Sequence, residues 1–413
     1  MIARATAPAV PATTGLRAPF PDALRGFALL GICLANAGYF SLFIFQPRAF
    51  QENLSLADAA LAAVHTVLVE GKFYSLFSLL FGFGFAMLFY GGDGGKGKGL
   101  AFFYRRLGVL ALFGLAHSFL VWDGDILFFY ALTGCLLPLF RNCSDRSLLR
   151  WAVALLLAPF LFDVVKILTD NRWNIANGAL ARAIASSQKY GIGEADTASW
   201  LVTHGRYTDL LHWNQGGFWF DWQHRLDSNR VPKVLGLFVL GLWVGRTRFY
   251  ARLADHRPLL RRIATWGFAI GLPAGAALQW SQLDGVNLPQ PGGLLDTLFY
   301  ALNVVPVALA YAGTLALLHS AGRWGPVFAA LQPVGQMALT NYVLQSVLGI
   351  IIYFGVGFGL GGGIGPSVYM PVALAVFGLQ VLYSGWWMRR FRFGPLEWLW
   401  RQATYGRRLP LRR

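Results

Sequence analysis

The sequence predicts an all-α fold, a polytopic transmembrane helical bundle of about ten spans with both termini in the cytoplasm. Of the 413 residues, 56% are hydrophobic and only 13% are charged, whereas roughly a quarter of the residues in a soluble domain are charged. Apolar runs of about 20 residues recur along the chain, which is the length that an α-helix needs to cross a bilayer. Basic residues gather in short loops that alternate with neutral ones, as the positive-inside rule predicts.

The apolar runs divide the chain into two groups of spans and one long hydrophilic insert. A cytoplasmic tail (1–21) precedes five spans within residues 22–168, and an extracytoplasmic insert (169–230) separates them from five spans within residues 231–388. A basic cytoplasmic tail (389–413) closes the chain. The segments 56–72 and 319–333 are ambiguous, so nine or eleven spans remain open. The predicted spans cover residues 22–45, 73–91, 101–122, 125–140, 149–168, 231–245, 263–280, 294–318, 334–354 and 367–388.

The net charge of +16 comes from 35 Lys and Arg against 19 Asp and Glu. In a soluble protein such a balance would suggest nucleic-acid binding. Here the excess falls in segments 96–106, 141–150, 246–262 and the final tail, which the positive-inside rule places together in the cytoplasm. We therefore expect the lipid bilayer of the bacterial inner membrane as the partner, and no nucleic acid.

The cysteine usage predicts neither a disulfide framework nor a metal site. The chain has three cysteines, of which Cys33 and Cys135 fall in apolar spans and Cys143 in a basic loop. With no CxxC motif and no Cys/His cluster in the sequence, we expect no bound metal and no resident cofactor.

The stretch LAHSFLVWDGDILFFYA, residues 115–131, is the strongest candidate for chemistry. His117 lies late in an apolar span, and ionisable groups in such segments are functional candidates because they are costly to keep there. Asp123 and Asp125 flank Gly124 at the turn into the next span. A turn that folds back would let either carboxylate orient one nitrogen of His117, leaving the other as a catalytic base. The alternative is a histidine that ties two helices together.

Five further polar residues within or beside spans are candidates for substrate binding. Asp22 and Arg25 lie three residues apart at the cytoplasmic end of the first span, where they would pair with each other or Arg25 would meet an anionic substrate. Asn36 follows about three turns later, where it could bond an acyl carbonyl or a neighbouring helix. Asn341 and Gln345 share one face of the ninth span, where they line a polar cavity or bond neighbouring helices.

Five sequence blocks resemble the YeiB-like family of bacterial inner-membrane proteins. They occur in family order from the first span to the tail, so the resemblance covers nearly the whole chain. The blocks are DALRGFALLGICLAN (22–36), LFSLLFGFGFAM (76–87), GLAHSFLVWDGDILFFYALTG (114–134), GQMALTNYVLQS (335–346) and GPLEWLWRQATYG (394–406).

The resemblance extends, through residues 22–36, to a wider clan of transmembrane acyltransferases. It implies an enzyme that takes an acyl group from a cytoplasmic coenzyme A thioester and delivers it to an acceptor at the outer face. In the clan's lysosomal heparan glucosaminide acetyltransferase, a catalytic histidine follows the residue that Asn36 matches by about three turns. Residues 40–50 of this chain contain no histidine, so His117 is the alternative base.

Three functions are therefore open. The first is an acyltransferase with acyl-coenzyme A as the donor and a small-molecule, glycan or lipid-linked acceptor. The second is a transporter or flippase that uses His117, Asp123 and Asp125 for proton or substrate movement. The third is a non-catalytic membrane partner of another enzyme.

Overall fold

The computed structural model describes residues 19–47, 49–50, 53–91, 99–193, 197–283 and 288–413. Most of the predicted tail 1–21 lies outside these residues. The described part of the chain forms helices and no strand, so the all-α prediction is confirmed.

Nine helices are described before the insert and within it, and they range from 7 to 24 residues. Before the insert they are α1 (Pro19–Phe40), α2 (Leu56–Leu68), α3 (Lys72–Tyr90), α4 (Leu100–Leu120), α5 (Leu127–Gly134) and α6 (Asp145–Leu168). The insert itself is helical, and its helices are α7 (Asn177–Lys189), α8 (Thr197–Thr203) and α9 (Tyr207–Asp227).

The chain after the insert is again mostly helical. Its helices are α10 (Arg230–Arg246), α11 (Arg257–Leu283), α12 (Gly293–Ser320), α13 (Gly325–Gln336), α14 (Ala338–Tyr353), α15 (Pro366–Arg390) and α16 (Pro395–Tyr405). Each of the ten predicted spans therefore overlaps a helix, although α5 covers only 127–134 of the span predicted over 125–140 and the span predicted over 334–354 contains a sharp break at Met337.

Length and composition single out fewer helices as membrane-spanning than the sequence predicted. Six stretches of the described chain are long and apolar enough, and the pair α13 and α14, bent by 82°, would make a seventh. Helix α10, at 17 residues, and α5, at 8, are shorter than the roughly 20 residues of a full span. The six stretches are Pro19–Phe45, Leu56–Tyr90, Leu100–Leu120, Asp145–Leu168, Gly293–Ser320 and Pro366–Arg390. The count of ten stays a prediction.

Apolar side chains on the outside of the bundle fit a lipid environment. Leu157 and Leu161 on α6 and Leu379 and Leu382 on α15 are more than half exposed. Soluble monomers rarely leave large contiguous apolar surfaces uncovered, so these faces mark an integral membrane protein.

Helix α1 lies at the centre of the bundle and contacts α3, α13, α14 and α15. Its crossing with α13 needs glycine on both sides. A Cβ on Gly26 would collide with the carbonyl of Leu331, and a Cβ on Gly335 would collide with the carbonyl of Asp22. Small residues at such crossings let helix backbones approach closely where lipid offers no hydrophobic drive.

The bundle has two ends that α1 and α4 connect. At the tail end, Asp22 in the first turn of α1 lies beside Gly335, and the backbone carbonyl of Arg106 on α4 accepts a hydrogen bond from Trp400 of α16 at 3.1 Å. At the insert end, Phe40 of α1 packs on Trp122, and Leu120 of α4 accepts a hydrogen bond from Tyr207 of α9 at 2.6 Å. Segments predicted to share one side of the membrane therefore meet at the tail end.

The C-terminal helix α16 is fixed to the break between α13 and α14. Glu397 is buried and accepts hydrogen bonds from the backbone N–H groups of Leu339 and Thr340, at 2.7 and 3.1 Å, and from the Thr340 hydroxyl at 2.6 Å. A carboxylate at this point satisfies N–H groups that the first turn of α14 leaves open, and it suits the positive end of the helix dipole.

Candidate functional site

His117 and Asp125 form a buried pair at the insert end. Helix α4 ends at Leu120, and the backbone turns so that the N–H of Trp122 bonds the carbonyl of His117 at 2.8 Å. This turn brings the Asp125 Oδ2 atom to 2.9 Å from His117 Nδ1, and both side chains are almost fully buried. Of the two carboxylates that the sequence left open, the partner of the histidine is Asp125.

Asp125 is held by two further hydrogen bonds that fix its orientation. Its Oδ1 atom accepts a hydrogen bond from the N–H of Phe128 at 2.7 Å, and its carbonyl accepts one from Arg225 of the insert. A Cβ on Gly114 would lie 2.8 Å from Asp125 Oδ1, so glycine makes the room that the carboxylate occupies. The carboxylate thus caps α5 and orients the imidazole at the same time.

The second nitrogen of the imidazole is free for chemistry. A carboxylate only accepts hydrogen bonds, so the proton of neutral His117 sits on Nδ1 and Nε2 carries the lone pair. His117 Nε2 is buried and has no hydrogen-bond partner among the described residues. The ring packs between Tyr342, at 5.3 Å between ring centroids, and Trp122, at 6.3 Å.

A cavity of about 510 Å³ runs from the tail end to Tyr342. Around Phe81, Leu110 and Tyr130 its wall is apolar, and at the tail end it is strongly basic. Among the described residues, four arginines line it, namely Arg25, Arg106, Arg392 and Arg401. The cavity therefore joins a cationic mouth to an apolar interior that ends one side chain away from His117.

Asp22 and Arg25 lie in the mouth of this cavity, as a pair. Arg25 Nη1 donates to Asp22 Oδ1 at 2.6 Å, and both residues line the cavity. Arg106 stacks over the ring of Trp400 at 4.0 Å, which fixes a second guanidinium at the mouth.

Asp123 points away from His117, toward the insert. A Cβ on Gly217 of α9 would collide with Asp123 Oδ2, so the carboxylate lies directly against that helix. Burial and, after it, the nearby carboxylate of Asp221 raise the pKa of Asp123 to about 7. Burial likewise raises the pKa of Asp221 to about 6, against the opposing charge of Arg225, which Asp221 bonds at 2.7 Å.

Asn341 and Gln345 lie in a network that joins three helices rather than on the cavity wall. Asn341 Nδ2 donates to Ser384 Oγ at 2.9 Å, and Gln345 Nε2 donates to Gln380 Oε1 at 2.8 Å and to the carbonyl of Leu29 at 3.3 Å. Their predicted role in substrate binding stays a prediction.

Asn36 is half-buried on α1, one turn before the Phe40 ring that packs on Trp122 at 4.6 Å. Among the described residues, the lining of the cavity does not include it. Its proposed contact with an acyl carbonyl also stays a prediction.

Two residues of the site, Arg225 and Asp221, were not among the sequence-based candidates. Arg225 and Asp221 lie in the insert, whose balanced charges drew no attention. Their spacing of four residues in a helix was the signal that could have predicted an ion pair.

Comparison with known proteins yields relatives of the same length and no described activity. A family model described as "Protein of unknown function (DUF418)" matches residues 244–407. The chain is 32% identical over 412 residues to the uncharacterized protein YxaH of Bacillus subtilis (strain 168), with 96% of each chain covered. It is 29% identical over 398 residues to the uncharacterized protein YeiB of Escherichia coli (strain K12), with 93% of this chain and 95% of YeiB covered. No solved structure matches.

Proposed function

This chain belongs to the YeiB-like DUF418 family, and we propose that it is a bacterial inner-membrane acyltransferase. The observation that carries the proposal is the cavity, which leads from a mouth of arginines to the Tyr342 ring that covers the His117–Asp125 pair. The resemblance of residues 22–36 to transmembrane acyltransferases supports the same proposal. The donor would be an acyl-coenzyme A, and the acceptor would reach His117 from the insert end.

The cavity suits a donor that is anionic at one end and apolar at the other. Guanidinium groups bind phosphates through paired, charge-assisted hydrogen bonds, so Arg25, Arg106 and Arg392 would hold the phosphates of coenzyme A. The acyl chain would lie against Phe81, Leu110 and Tyr130. Volumes of about 300–1,000 Å³ are usual for sites that bury a small-molecule ligand, and this cavity falls within that range.

The chemistry proposed for the pair is general base catalysis. His117 Nε2 removes the proton from an acceptor hydroxyl or amine, and the acceptor atom attacks the thioester carbonyl. The carbon–sulfur bond then breaks, and the departing thiolate takes the proton back from the imidazolium. Asp125 keeps the imidazole in the required tautomer and stabilises its positive charge in between.

Tyr342 must turn aside for the thioester to meet His117. Its hydroxyl accepts a hydrogen bond from the N–H of Ile126 at 3.1 Å, which holds the ring over the imidazole. We propose that donor binding displaces this ring, so that the base is covered until the donor is in place. A covered base limits wasteful hydrolysis of the thioester.

The orientation follows from the charges at the two ends. The basic tail, the start of α4 and the mouth of the cavity would face the cytoplasm, where acyl-coenzyme A is found, and the insert would face outward. A cysteine placed at Trp200 in a cysteine-free background should react with an impermeant maleimide on intact cells. Reaction only after the membrane is broken would overturn this orientation.

A proton-coupled transporter is the second candidate, and Asp123 and Asp221 favour it. Their raised pKa values let both bind and release protons near neutral pH, as a proton relay requires. In that case a substrate that enters at the mouth would leave, chemically unchanged, on the other side of the membrane.

The deciding experiment supplies acyl-coenzyme A labelled in the acyl group to inverted membrane vesicles that contain the protein. Transfer predicts label in a new covalent product and free coenzyme A in equal amounts. Transport predicts unmodified label that moves across the membrane. Membranes from cells without the protein give the background, and an absence of product across acetyl and longer acyl donors would contradict the acyltransferase proposal.

A further inference from the structure

Two cations at the insert end are stacked on two tyrosines that touch each other. The Arg230 guanidinium carbon lies 5.1 Å from the ring centroid of Tyr74, and Lys233 Nζ lies 4.5 Å from that of Tyr300. The two phenol oxygens are 3.2 Å apart. These four residues, from α10, α3 and α12, form what we call the cation–tyrosine quartet, and all four are half-buried.

The two cations of the quartet lack the carboxylates that their neighbours have. Nearby, Arg225 pairs with Asp221 at 2.7 Å and Lys166 pairs with Asp163 at 3.0 Å. Within the described chain, neither Arg230 nor Lys233 has a carboxylate oxygen within 4.0 Å. Arg230 Nε is buried with no hydrogen-bond partner there. The quartet thus holds two cations without a directly paired carboxylate, and the carboxylates that act on them electrostatically, Asp221, Asp163 and Glu70, lie farther away.

The protonation of His224 responds to the positive charge of the quartet. Its Nε2 atom accepts a hydrogen bond from Arg230 Nη2 at 3.2 Å, which requires the imidazole to be neutral at that nitrogen. Loss of solvent and then the charges of Arg230, Arg225 and Lys233 lower the pKa of His224. A third cation is therefore excluded from the quartet, and an anion would be attracted to it.

We propose that the cation–tyrosine quartet binds a phosphate group. A guanidinium, an ammonium and the phenol hydrogen that the Tyr74–Tyr300 bond does not use offer donors to phosphate oxygens, and two neighbouring half-buried cations gain from a shared anion. Arg230 also begins α10, whose open N–H groups and dipole favour an anion at that point. The phosphate could belong to an anionic lipid headgroup or be free in solution.

The quartet adjoins the wall of the cavity without being part of it. Tyr130, which lines the cavity, donates its hydroxyl hydrogen to the carbonyl of Tyr74 at 2.8 Å. A phosphate at the quartet would therefore sit behind that wall, at the opposite end of the bundle from the arginine mouth. The proposal rests on this local charge balance and holds whether or not the protein transfers acyl groups.

The test measures binding to the purified full chain. In detergent, inorganic phosphate is titrated by calorimetry and by its effect on the melting temperature. In nanodiscs, phosphatidylcholine alone is compared with phosphatidylcholine that contains phosphatidylglycerol. Arg230→Gln and Lys233→Gln should each weaken binding at least about tenfold, because each removes a charge-assisted hydrogen bond. Lys189→Gln is the matched control, since Lys189 stacks on Tyr190 at 5.1 Å without a second cation across from it.

The detergent and nanodisc measurements distinguish the two sources of phosphate. Stabilisation by inorganic phosphate that the quartet variants lose would assign a free phosphate. Stabilisation by phosphatidylglycerol alone, lost in the same variants, would assign a lipid headgroup. If the glutamine variants fail to fold, Tyr300→Phe removes one hydroxyl and keeps the ring, and it should weaken binding severalfold. No stabilisation of the wild type by either ligand, or equal stabilisation of wild type and variants, would overturn the proposal.

Discussion

The His117–Asp125 pair and the Asn341–Gln345 network are both buried polar groups within apolar spans, yet they sit in different surroundings. Among the described residues, His117 has one nitrogen bonded at 2.9 Å and the other without a partner, and its ring packs on Tyr342, which lines the cavity. Asn341 and Gln345 also keep an amide oxygen without a partner, but their donors tie α14 to α15 and α1. The two groups are alike in their rarity within the membrane and differ in their proximity to the cavity.

The largest effect that would separate the two regions is loss of transfer. We expect His117→Ala to lower the transfer rate about 10²–10⁴-fold while the melting temperature stays near that of the wild type, because the substitution removes a positioned base. Rate and melting temperature are measured on the same purified sample. The comparison breaks if His117→Ala keeps its rate, or if its loss of rate follows a loss of folded protein.

The mouth of the cavity gives a smaller, more specific effect. We expect Arg392→Gln to raise the KM for acyl-coenzyme A about tenfold and to leave kcat nearly unchanged, because one phosphate contact is lost far from the base. Arg390→Gln is the control, since Arg390 stacks on Trp386 at 4.7 Å and is absent from the described lining. Equal KM values for both variants would mean that Arg392 at the mouth does not bind the donor.

The amide network should respond in stability. Asn341→Ala removes the bond to Ser384, and interhelical hydrogen bonds in membranes contribute about 1 kcal/mol each. We expect a melting temperature lower by a few degrees, roughly what such a loss costs, and an unchanged kcat per folded molecule. A normal melting temperature with a raised KM would instead make Asn341 a substrate-binding residue. The amide network would then belong to the same functional site as the His117–Asp125 pair.

A separate effect, on the insert side of the site, is the pH dependence of stability that Asp123 confers. Its pKa is near 7 when folded and near 3.8 otherwise, so the folded state holds a proton that the unfolded state releases between these values. Stability from this group is therefore highest at acid pH and falls as pH rises toward 7. We expect the difference in melting temperature between pH 5 and pH 8 to shrink in Asp123→Asn. An unchanged difference would mean that Asp123 is ionised throughout.

Local patterns in the sequence were enough to predict the long apolar helices, because length and hydrophobicity are properties of short segments, whereas the polar helices of the insert were not predicted. The break at Met337 was not predictable in the same way. It depends on Gly335 meeting Asp22 and on Glu397 capping the start of α14, and these residues are far apart in the chain. Long-range contacts of this kind leave no periodic signal.

In the candidate site, too, the local features could be predicted from the sequence and those that depend on long-range contacts could not. The turn after His117 predicted a nearby carboxylate, but the choice of Asp125 over Asp123 depends on the N–H of Phe128 and on Arg225 of the insert. The cavity was not predictable, because its walls come from helices on both sides of the insert. Asn341 and Gln345 were selected for being polar and rare, a criterion that ignores what lies next to them.

The fixing of α16 by Glu397 has a consequence for how the protein is made. The mouth of the cavity combines Arg25, which the ribosome supplies early, with Arg392 and Arg401, which emerge almost last. Until α16 has left the ribosome and reached the first turn of α14, the earlier helices can insert but the mouth is incomplete. A chain that stalls or is clipped before Glu397 would thus remain in the membrane with an unfinished mouth, and a fusion partner at the C-terminus would need a linker that leaves this last step undisturbed.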